Sequence, residues 1–148
     1  MSDVQIPVGY SASDDFARQD FERIHRWLSG TYWSPGISRE RVEQGARNST
    51  VVVGVFAASG EQAAFARAVS DTTRFGYIAD VYVDDAHRKK GLARFMVQYL
   101  MNHPRVSEVS SWYLHTLDAQ SVYAGLGFKV YEYPDRFMVW RRSKPHSH

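Results

Sequence analysis

Residues 77–83 read Tyr-Ile-Ala-Asp-Val-Tyr-Val, and residues 84–101 continue Asp-Asp-Ala-His-Arg-Lys-Lys-Gly-Leu-Ala-Arg-Phe-Met-Val-Gln-Tyr-Leu-Met. The first seven residues are apolar, β-branched or aromatic with one acid, which predicts a buried strand. The apolar residues that follow have the three-and-four spacing of an amphipathic helix: Leu92, Phe95, Met96, Tyr99 and Leu100. A strand that leads through a short turn into a helix directs free backbone N–H groups and the positive helix dipole at one point. The stretch therefore predicts an anion site that suits phosphate.

The turn between this strand and this helix is basic. Arg88, Lys89 and Lys90 add positive charge there, and Gly91 lets the backbone approach a ligand closely. An isolated basic triplet is usually solvated surface. The glycine and the helix that follow favour phosphate binding over that alternative.

Two segments carry a family resemblance. Arg88-x-x-Gly91-x-Ala93 resembles the signature with which the GNAT acetyltransferase superfamily cradles the pyrophosphate of coenzyme A. Residues 123–128, Tyr-Ala-Gly-Leu-Gly-Phe, resemble the Tyr-x-x-x-Gly-Phe segment that follows in that family. The resemblance implies the GNAT fold and acetyl transfer from acetyl-CoA.

Composition limits the classes of function. The chain has 148 residues, a formal charge of only +2 and no cysteine, which argues against nucleic-acid binding and excludes disulfides, thiolate metal sites and a cysteine nucleophile. No apolar run approaches the ~18 residues of a membrane span, and the N-terminus lacks the pattern of a signal peptide. We therefore expect a cytoplasmic protein of one acetyltransferase-like domain, residues 1–148, with a core over about 4–142 and a polar tail over 143–148.

Hydrophobic patterning predicts an α+β chain in the order β-α-α-β-β-β-α-β-α-β-β. Strands are expected at 4–10, 50–58, 63–70, 77–83, 110–117, 128–133 and 137–142, and Ser13 and Ser38 are the expected caps of the first two helices. This order implies a mixed, mostly antiparallel sheet of six to seven strands with helices on both faces. It is also the order of the GNAT fold.

The resemblance implies which residues bind the coenzyme. The backbone of Val81, Tyr82 and Val83 would pair with the pantetheine arm, whatever core packing their side chains provide. Thr116 stands where the family often has an asparagine that contacts the coenzyme, and a hydroxyl partly replaces that group. The pyrophosphate is assigned to the backbone N–H groups of Arg88, Lys89, Lys90, Gly91, Leu92 and Ala93, while the cation that reaches the 3′-phosphate stays open.

Acetyl transfer requires a neutral amine, a donor for the oxyanion and an acid for the departing thiolate. Tyr123 aligns with the tyrosine that many GNAT enzymes use as this acid. The alternative is a helix tyrosine that packs on the sheet with its hydroxyl in water or on a carbonyl.

Asp80 is the first candidate for the general base. Strand alternation places it with Ile78 and Tyr82 on one face, and a buried acid needs a partner, a raised pKa or water access. A structural acid that holds the loop at 31–34 is an equal alternative. His115, on the neighbouring strand, is the second candidate because imidazole titrates near neutrality.

Tyr32 and Trp33 are the candidate wall of the acceptor pocket, since an aromatic loop suits an amine through apolar or cation–π contacts. A lid packed on the core is the alternative. His115 is assigned to the same pocket, and Trp27 and Trp112 are assigned to the core. The six histidines show no metal-site spacing, so no metal is expected.

The sequence thus predicts an N-acetyltransferase that moves acetyl from acetyl-CoA to a primary amine by direct attack in a ternary complex. The alternative is an acyl-CoA-binding sensor without turnover. A small molecule or a peptide can supply the acceptor amine. No nucleic acid or membrane partner is expected, and a homodimer is open because dimers are frequent in this superfamily.

Overall fold

The computed structural model of the chain describes residues 5–142, so residue 4 and the tail predicted at 143–148 lie outside the described residues. One sheet contains five strands in the order β1-β2-β3-β4-β5. They are β1 (Tyr10–Ser13), β2 (Val51–Ala57), β3 (Gln62–Ser70), β4 (Phe75–Val83) and β5 (Ser111–Tyr113). All neighbours are antiparallel except β4 and β5, which are parallel. The mixed, mostly antiparallel sheet is confirmed.

Helices cover both faces of the sheet, as predicted. The first layer, α1 (Phe21–Leu28) and α2 (Arg39–Arg47), packs on Val52 and Phe65. The second layer, α3 (Leu92–Met101) and α4 (Gln120–Ala124), covers the opposite face. Side chains of alternate strand positions fill the two cores because successive residues of a strand point to opposite faces. None of the helices in residues 5–142 combines the length and apolarity needed to cross a membrane.

The beginning of the chain differs from the prediction. The expected strand at 4–10 is wrong: the first strand is β1, which starts at Tyr10 and pairs Ser13 with Gly54 of β2. Ser13 is therefore a strand residue and not a helix cap. Asp20 caps α1, accepting a hydrogen bond from the Arg23 N–H, whereas Ser38 caps α2 as predicted. Pairing with β2 holds Ser13 in extended backbone, and a 3₁₀ turn at Phe16–Arg18, capped by Asp15, comes before α1.

A bulge changes the facing of residues in β4. Tyr82 pairs with Phe65 and Ala79 with Arg67, so two residues of β4 lie opposite one residue of β3. Asp80 is the extra residue, and its φ of 56° is in the left-handed region. Ile78 consequently packs in the core under α3, while Tyr82 packs with α1. The prediction that Asp80 shares a face with Ile78 is wrong, because alternation fails across a bulge.

The end of the chain also differs. The strands predicted at 128–133 and 137–142 are absent from the described structure, which has a short 3₁₀ turn at Pro134–Arg136 there. The sheet therefore has five strands and not six to seven, and β5 covers only part of the predicted 110–117. Residues 128–142 have strand-like composition, but a strand needs a neighbour for its N–H and C=O groups. Their own sheet supplies none.

Candidate active site

The sheet opens between β4 and β5. These strands pair only from Phe75–Tyr77 to Ser111–Tyr113. Beyond Tyr77, the side of β4 that faces β5 has no strand partner among residues 5–142. An extended ligand with amide groups can pair with this free edge as a strand would. The edge includes Val81, Tyr82 and Val83, the residues predicted to meet the pantetheine arm.

The free edge leads to the start of α3. The first backbone bond of this helix runs from the Phe95 N–H to the Gly91 carbonyl, so the N–H groups of Leu92 and Ala93 have no acceptor within the helix. Gly91 caps the helix at φ 82°, where a side chain is strained, and a Cβ there would meet no heavy atom within 4 Å. The helix thus presents free donors and positive dipole to open space, as an anion site requires.

The three cations of the turn have different environments. The Arg88 side chain is held by a 3.0 Å hydrogen bond from its Nε to the Val83 carbonyl and by a 3.1 Å ion pair with Asp85. Lys89 and Lys90 are exposed and form no ion pair with any described residue. The two lysines are therefore the cations free to meet a phosphate.

A polar cluster holds two residues of the turn, Asp84 and His87. Arg23 on α1 donates from Nη2 to Asp84 at 3.0 Å and lies 3.3 Å from Glu61. His87 lies 3.6 Å from Glu61 and bonds the Tyr10 hydroxyl at 2.7 Å. Glu61, Asp84 and His87 bring possible metal-ligand atoms within 4.8 Å of one another, a grouping that histidine spacing alone did not predict. Because the guanidinium already supplies their counter-charge, we describe the group as an ion-pair cluster.

Asp80 is held by two partners. Its Oδ2 accepts from Arg67 Nε at 2.7 Å, and its Oδ1 accepts from Trp33 Nε1 at 3.0 Å. The Asp80 side chain is 14% exposed and that of Arg67 23%. The Trp33 contact is the one expected of an acid that holds the 31–34 loop, and the base role of Asp80 stays a prediction. Sequence reasoning missed Arg67, although an arginine in the middle of a buried strand signals such a partner.

Tyr77 and His115 form a second polar pair beside Asp80. The Tyr77 hydroxyl lies 2.5 Å from His115 Nδ1. Burial, and then the charge of Asp80, raises the pKa of Tyr77. His115 therefore has a hydrogen-bond partner that sequence reasoning did not identify. The prediction that His115 lies on the neighbouring strand is wrong: β5 ends at Tyr113, which is the residue opposite Tyr77, and His115 lies two residues beyond it.

Tyr123 lies in α4 with its ring against Phe128, 6.3 Å between centroids. Burial raises the pKa of Tyr123, with smaller effects from Tyr32 and Asp118. Its hydroxyl forms no hydrogen bond with a described residue. Because every fully buried polar side-chain atom of residues 5–142 has a partner, this hydroxyl is not fully buried. The hydroxyl consequently reaches solvent, as a proton donor to a ligand must. Its catalytic role stays a prediction.

The remaining predicted residues border the same opening or support it. Tyr32 is 60% exposed and contacts Trp33 edge-to-face. It also lies close enough to Tyr77 and Tyr123 to contribute to the raised pKa of each. Thr116 Oγ1 accepts from the Ala119 N–H at 2.9 Å, so this hydroxyl shapes the turn before α4. The core assignments are confirmed: Trp27 stacks on Tyr82 and Trp112 packs against the α3 core.

Comparisons with known proteins agree with this geometry. Residues 14–128 match the Acetyltransferase (GNAT) family, and no curated protein sequence matches the chain. A solved structure from Xanthomonas campestris pv. campestris, assigned to the GNAT family, is 33% identical with a TM-score of 0.83, covering 90% of this chain and 93% of that one.

Two solved structures are similar at lower identity. A Staphylococcus aureus protein of unknown function is 17% identical with a TM-score of 0.74, covering 90% of this chain and 98% of that chain. The glucosamine-6-phosphate N-acetyltransferase of Arabidopsis thaliana is 18% identical with a TM-score of 0.65, covering 91% and 99%. At these identities the likeness shows the fold alone.

Proposed function

The chain belongs to the acetyltransferase (GNAT) family, whose chemistry is acyl transfer from acetyl-CoA, and we propose that it is an N-acetyltransferase that acts on a primary amine. Acetyl would pass directly to the amine in a ternary complex. We also propose that residues 1–148 form one such domain and that it acts in the cytoplasm. The observation that supports the activity best is the free edge of β4 that leads into the free N–H groups of α3.

Coenzyme binding follows from these two features. Val81, Tyr82 and Val83 would hold the pantetheine amides by backbone hydrogen bonds, antiparallel-strand fashion. The N–H groups of 88–93 would hold the pyrophosphate, and Lys89 or Lys90 the 3′-phosphate. Thr116 would contact the coenzyme as well, with its hydroxyl proton still available for donation.

The chemical step requires two proton transfers. The amine nitrogen forms the bond to the carbonyl carbon as the carbon–sulfur bond breaks. A backbone N–H of β4 would stabilise the charge on the carbonyl oxygen. Asp80 would take the proton that the amine loses, and Tyr123 would give one to the sulfur. Because burial raises the pKa of Tyr123, its phenol is protonated and able to donate at neutral pH.

The aromatic loop and the polar pair beside Asp80 would receive the acceptor. Tyr32 and Trp33 present ring faces and edges at the opening, and Tyr77 and His115 present a hydroxyl and an imidazole. Such a mixture suits an amine attached to a partly apolar small molecule or peptide. Polyamines, amino acids, antibiotics, peptide N-termini and lysine side chains therefore form the panel to screen.

Calorimetric titration with acetyl-CoA tests the coenzyme site first. We expect micromolar binding that Gly91→Glu abolishes. Gly36→Glu is the matched control, because Gly36 also has a positive φ and open space at its Cβ but lies in the loop before α2. Absence of binding by the wild type would refute the proposed function.

A non-catalytic acyl-CoA sensor is the second candidate function. It is favoured by one observation, that Arg67 and Trp33 already occupy both oxygens of Asp80. Tyr123→Phe separates the two functions. In an enzyme we expect thiol release in the presence of amines to fall about 10²–10⁴-fold, as for loss of a general acid, with unchanged acetyl-CoA affinity. A wild type that binds acetyl-CoA but releases no thiol with any amine of the panel would be a sensor.

A further inference from the structure

Two protons must leave the nitrogen of an alkyl amine before it becomes an amide. Such an amine has an ordinary pKa of about 10.4, as in a lysine side chain, so it arrives as an ammonium ion at neutral pH. It loses one proton to become a nucleophile and a second as the amide forms. Asp80 is a single carboxylate and accepts one proton, while Tyr123 donates its own proton to sulfur. The first proton of an ammonium acceptor therefore needs a separate base.

Tyr77 and His115 lie where this proton leaves the nitrogen. Tyr77 is the last residue of β4 that pairs with β5, so it stands at the point where the free edge of β4 begins. The charges of Asp80, Arg67 and Tyr32 all act on its hydroxyl. The Tyr77 hydroxyl is therefore close to the residues of the proposed acceptor site.

A short hydrogen bond connects this hydroxyl to solvent through the imidazole. The Tyr77 hydroxyl lies 2.5 Å from His115 Nδ1, and burial, followed by the charge of Asp80, raises the pKa of Tyr77, so the phenol keeps its proton to donate. Tyr77 is partly buried whereas His115 is exposed. Phe137 meets the imidazole edge-to-face, with centroids 5.2 Å apart, which leaves the rest of the ring open to water. An imidazole accepts and releases protons near neutral pH.

We propose that Tyr77 and His115 carry the first proton of an alkyl ammonium acceptor out to solvent. The ammonium proton passes to the Tyr77 oxygen as the hydroxyl proton passes to His115 Nδ1. One N–H bond and one O–H bond break and one of each forms, so the products are a neutral amine, an intact phenol and an imidazolium. The exposed imidazolium then gives one proton to water. This inference rests on the acetyl transfer proposed for the chain.

The charge of the acceptor separates this pair from Asp80. Tyr77 meets the amine and is a catalytic residue, while His115 acts through it. Asp80 takes the proton that the nitrogen loses as the amide forms, whether the acceptor arrives charged or neutral. An alkoxyamine is neutral at neutral pH, so its transfer needs Asp80 but not the pair.

Thiol release with an alkylamine and with the alkoxyamine of the same carbon skeleton tests the proposal. We expect Tyr77→Phe to lower kcat/KM for the alkylamine by about 10²-fold or more, as for a lost proton transfer, and that for the alkoxyamine by less than about threefold. Asp80→Asn should lower both. An equal loss for the two amines in Tyr77→Phe, or no loss for either, would overturn the proposal.

The matched controls lie on the other side of the sheet. Tyr77 points away from α3, because its neighbour Ile78 packs under that helix. Tyr99, on α3, and His103, just beyond it, both bond the Asp14 carboxylate through their side chains. Tyr99→Phe and His103→Ala therefore remove the same groups from a similar hydrogen-bonded setting, and we expect them to leave both rates unchanged.

Chemical rescue tests the imidazole. His115→Ala should show the same selective loss for the alkylamine and regain rate when free imidazole is added, whereas Tyr77→Phe should not. Both variants should keep the acetyl-CoA affinity of the wild type, and a parallel loss of affinity or a His115→Ala rate that imidazole does not restore would overturn the proposal. A wild type that binds acetyl-CoA but transfers to neither amine would overturn the proposed function as well, whereas a Tyr77→Phe variant as active as the wild type would overturn this inference alone.

Discussion

Replacing Asp80 by asparagine separates the two roles that its position allows. The substitution keeps the size of the side chain and removes its charge. Arg67, which is only 23% exposed, then loses its counter-ion, while Trp33 Nε1 keeps an oxygen to bond. If the carboxylate only holds the loop, its replacement lowers the stability of the fold. If it is also the general base, its replacement lowers the reaction rate as well.

The expected stability change follows from the contacts. A hydrogen bond to a charged group contributes about 1.5–3 kcal/mol, and partial exposure of this pair lowers that to about 1–2 kcal/mol. For a chain of this size, 1 kcal/mol shifts the thermal midpoint by roughly 2–4 °C. We therefore expect Asp80→Asn and Arg67→Gln to melt a few degrees below the wild type. Removal of a general base lowers kcat by about 10²–10⁴-fold.

Thermal unfolding and kcat at saturating acetyl-CoA are measured on three variants: Asp80→Asn, Arg67→Gln and Trp33→Phe. Arg67→Gln and Trp33→Phe each remove one contact of Asp80 and leave its carboxylate in place. We expect all three to lose stability but only Asp80→Asn to lose the full factor in kcat. If Asp80→Asn keeps kcat within about threefold of Arg67→Gln, far below the range for a lost base, Asp80 is a structural acid and the base lies elsewhere.

Three further predictions rest on single contacts. Gly76→Ala would place a Cβ 2.4 Å from the Trp112 ring, so we expect denaturant unfolding to show a loss of about 1–3 kcal/mol in the free energy of unfolding. Gly45→Ala is the same change inside α2, where a Cβ would make only ordinary contacts at 3.9 Å. It should instead raise the free energy of unfolding by up to about 1 kcal/mol. Backbone N–H groups of the 71–75 turn lower the pKa of Asp71 to about 2. The contribution of this carboxylate to stability is therefore fully present above the ordinary pKa of 3.8 and is lost as the pH falls through 2. A carboxyl-carbon NMR titration with a midpoint near 4 would contradict this. Lys89→Gln and Lys90→Gln are each titrated with acetyl-CoA and with its 3′-dephospho form. We expect one of the two variants to lose about 10–100-fold in affinity for acetyl-CoA and to keep its affinity for the dephospho form. Equal losses for both ligands would show that neither lysine meets the 3′-phosphate.

The central part of the fold could be predicted because its local signals agree with one another. In β2, β3 and the β4–α3 region, residue type, period and turn chemistry all indicate the elements that the structure contains. The cap at Ser38 was predictable for the same reason, since a capping side chain precedes a helical pattern. Ser13 offered the same local signal, but its pairing with β2 is a long-range contact that the local pattern does not contain.

The candidate site was predictable where a backbone motif defines it and not where side chains meet across strands. The turn around Gly91 depends on local conformation. Arg67 meets Asp80 because two strands pair in one particular register with a bulge between them. Tyr77 meets His115 just beyond the point where the short parallel pairing of β4 and β5 ends. Such partners become visible only when register is known.

The strand-like composition of residues 128–142 shows the opposite limit. Its residues have the propensity for a strand, and the prediction of two strands followed from that alone. Propensity describes how well a residue fits a sheet, while formation of the strand depends on a neighbour. In the described part of the chain that neighbour is missing, so a correct pattern led to a wrong assignment.

The bulge in β4 makes its acidic residue separable from the sheet around it. Deleting one residue from a regular strand would invert every side chain beyond it. Deleting Asp80 would instead restore a regular ladder with β3, leaving Ile78 and Val81 toward α3 and Tyr82 toward α1, as they are now. Asp80 is thus an insertion whose loss would leave the packing of β4 against both helix layers as it is. Substitutions at this position can therefore change the polar contacts beside the open edge of β4 without changing the core.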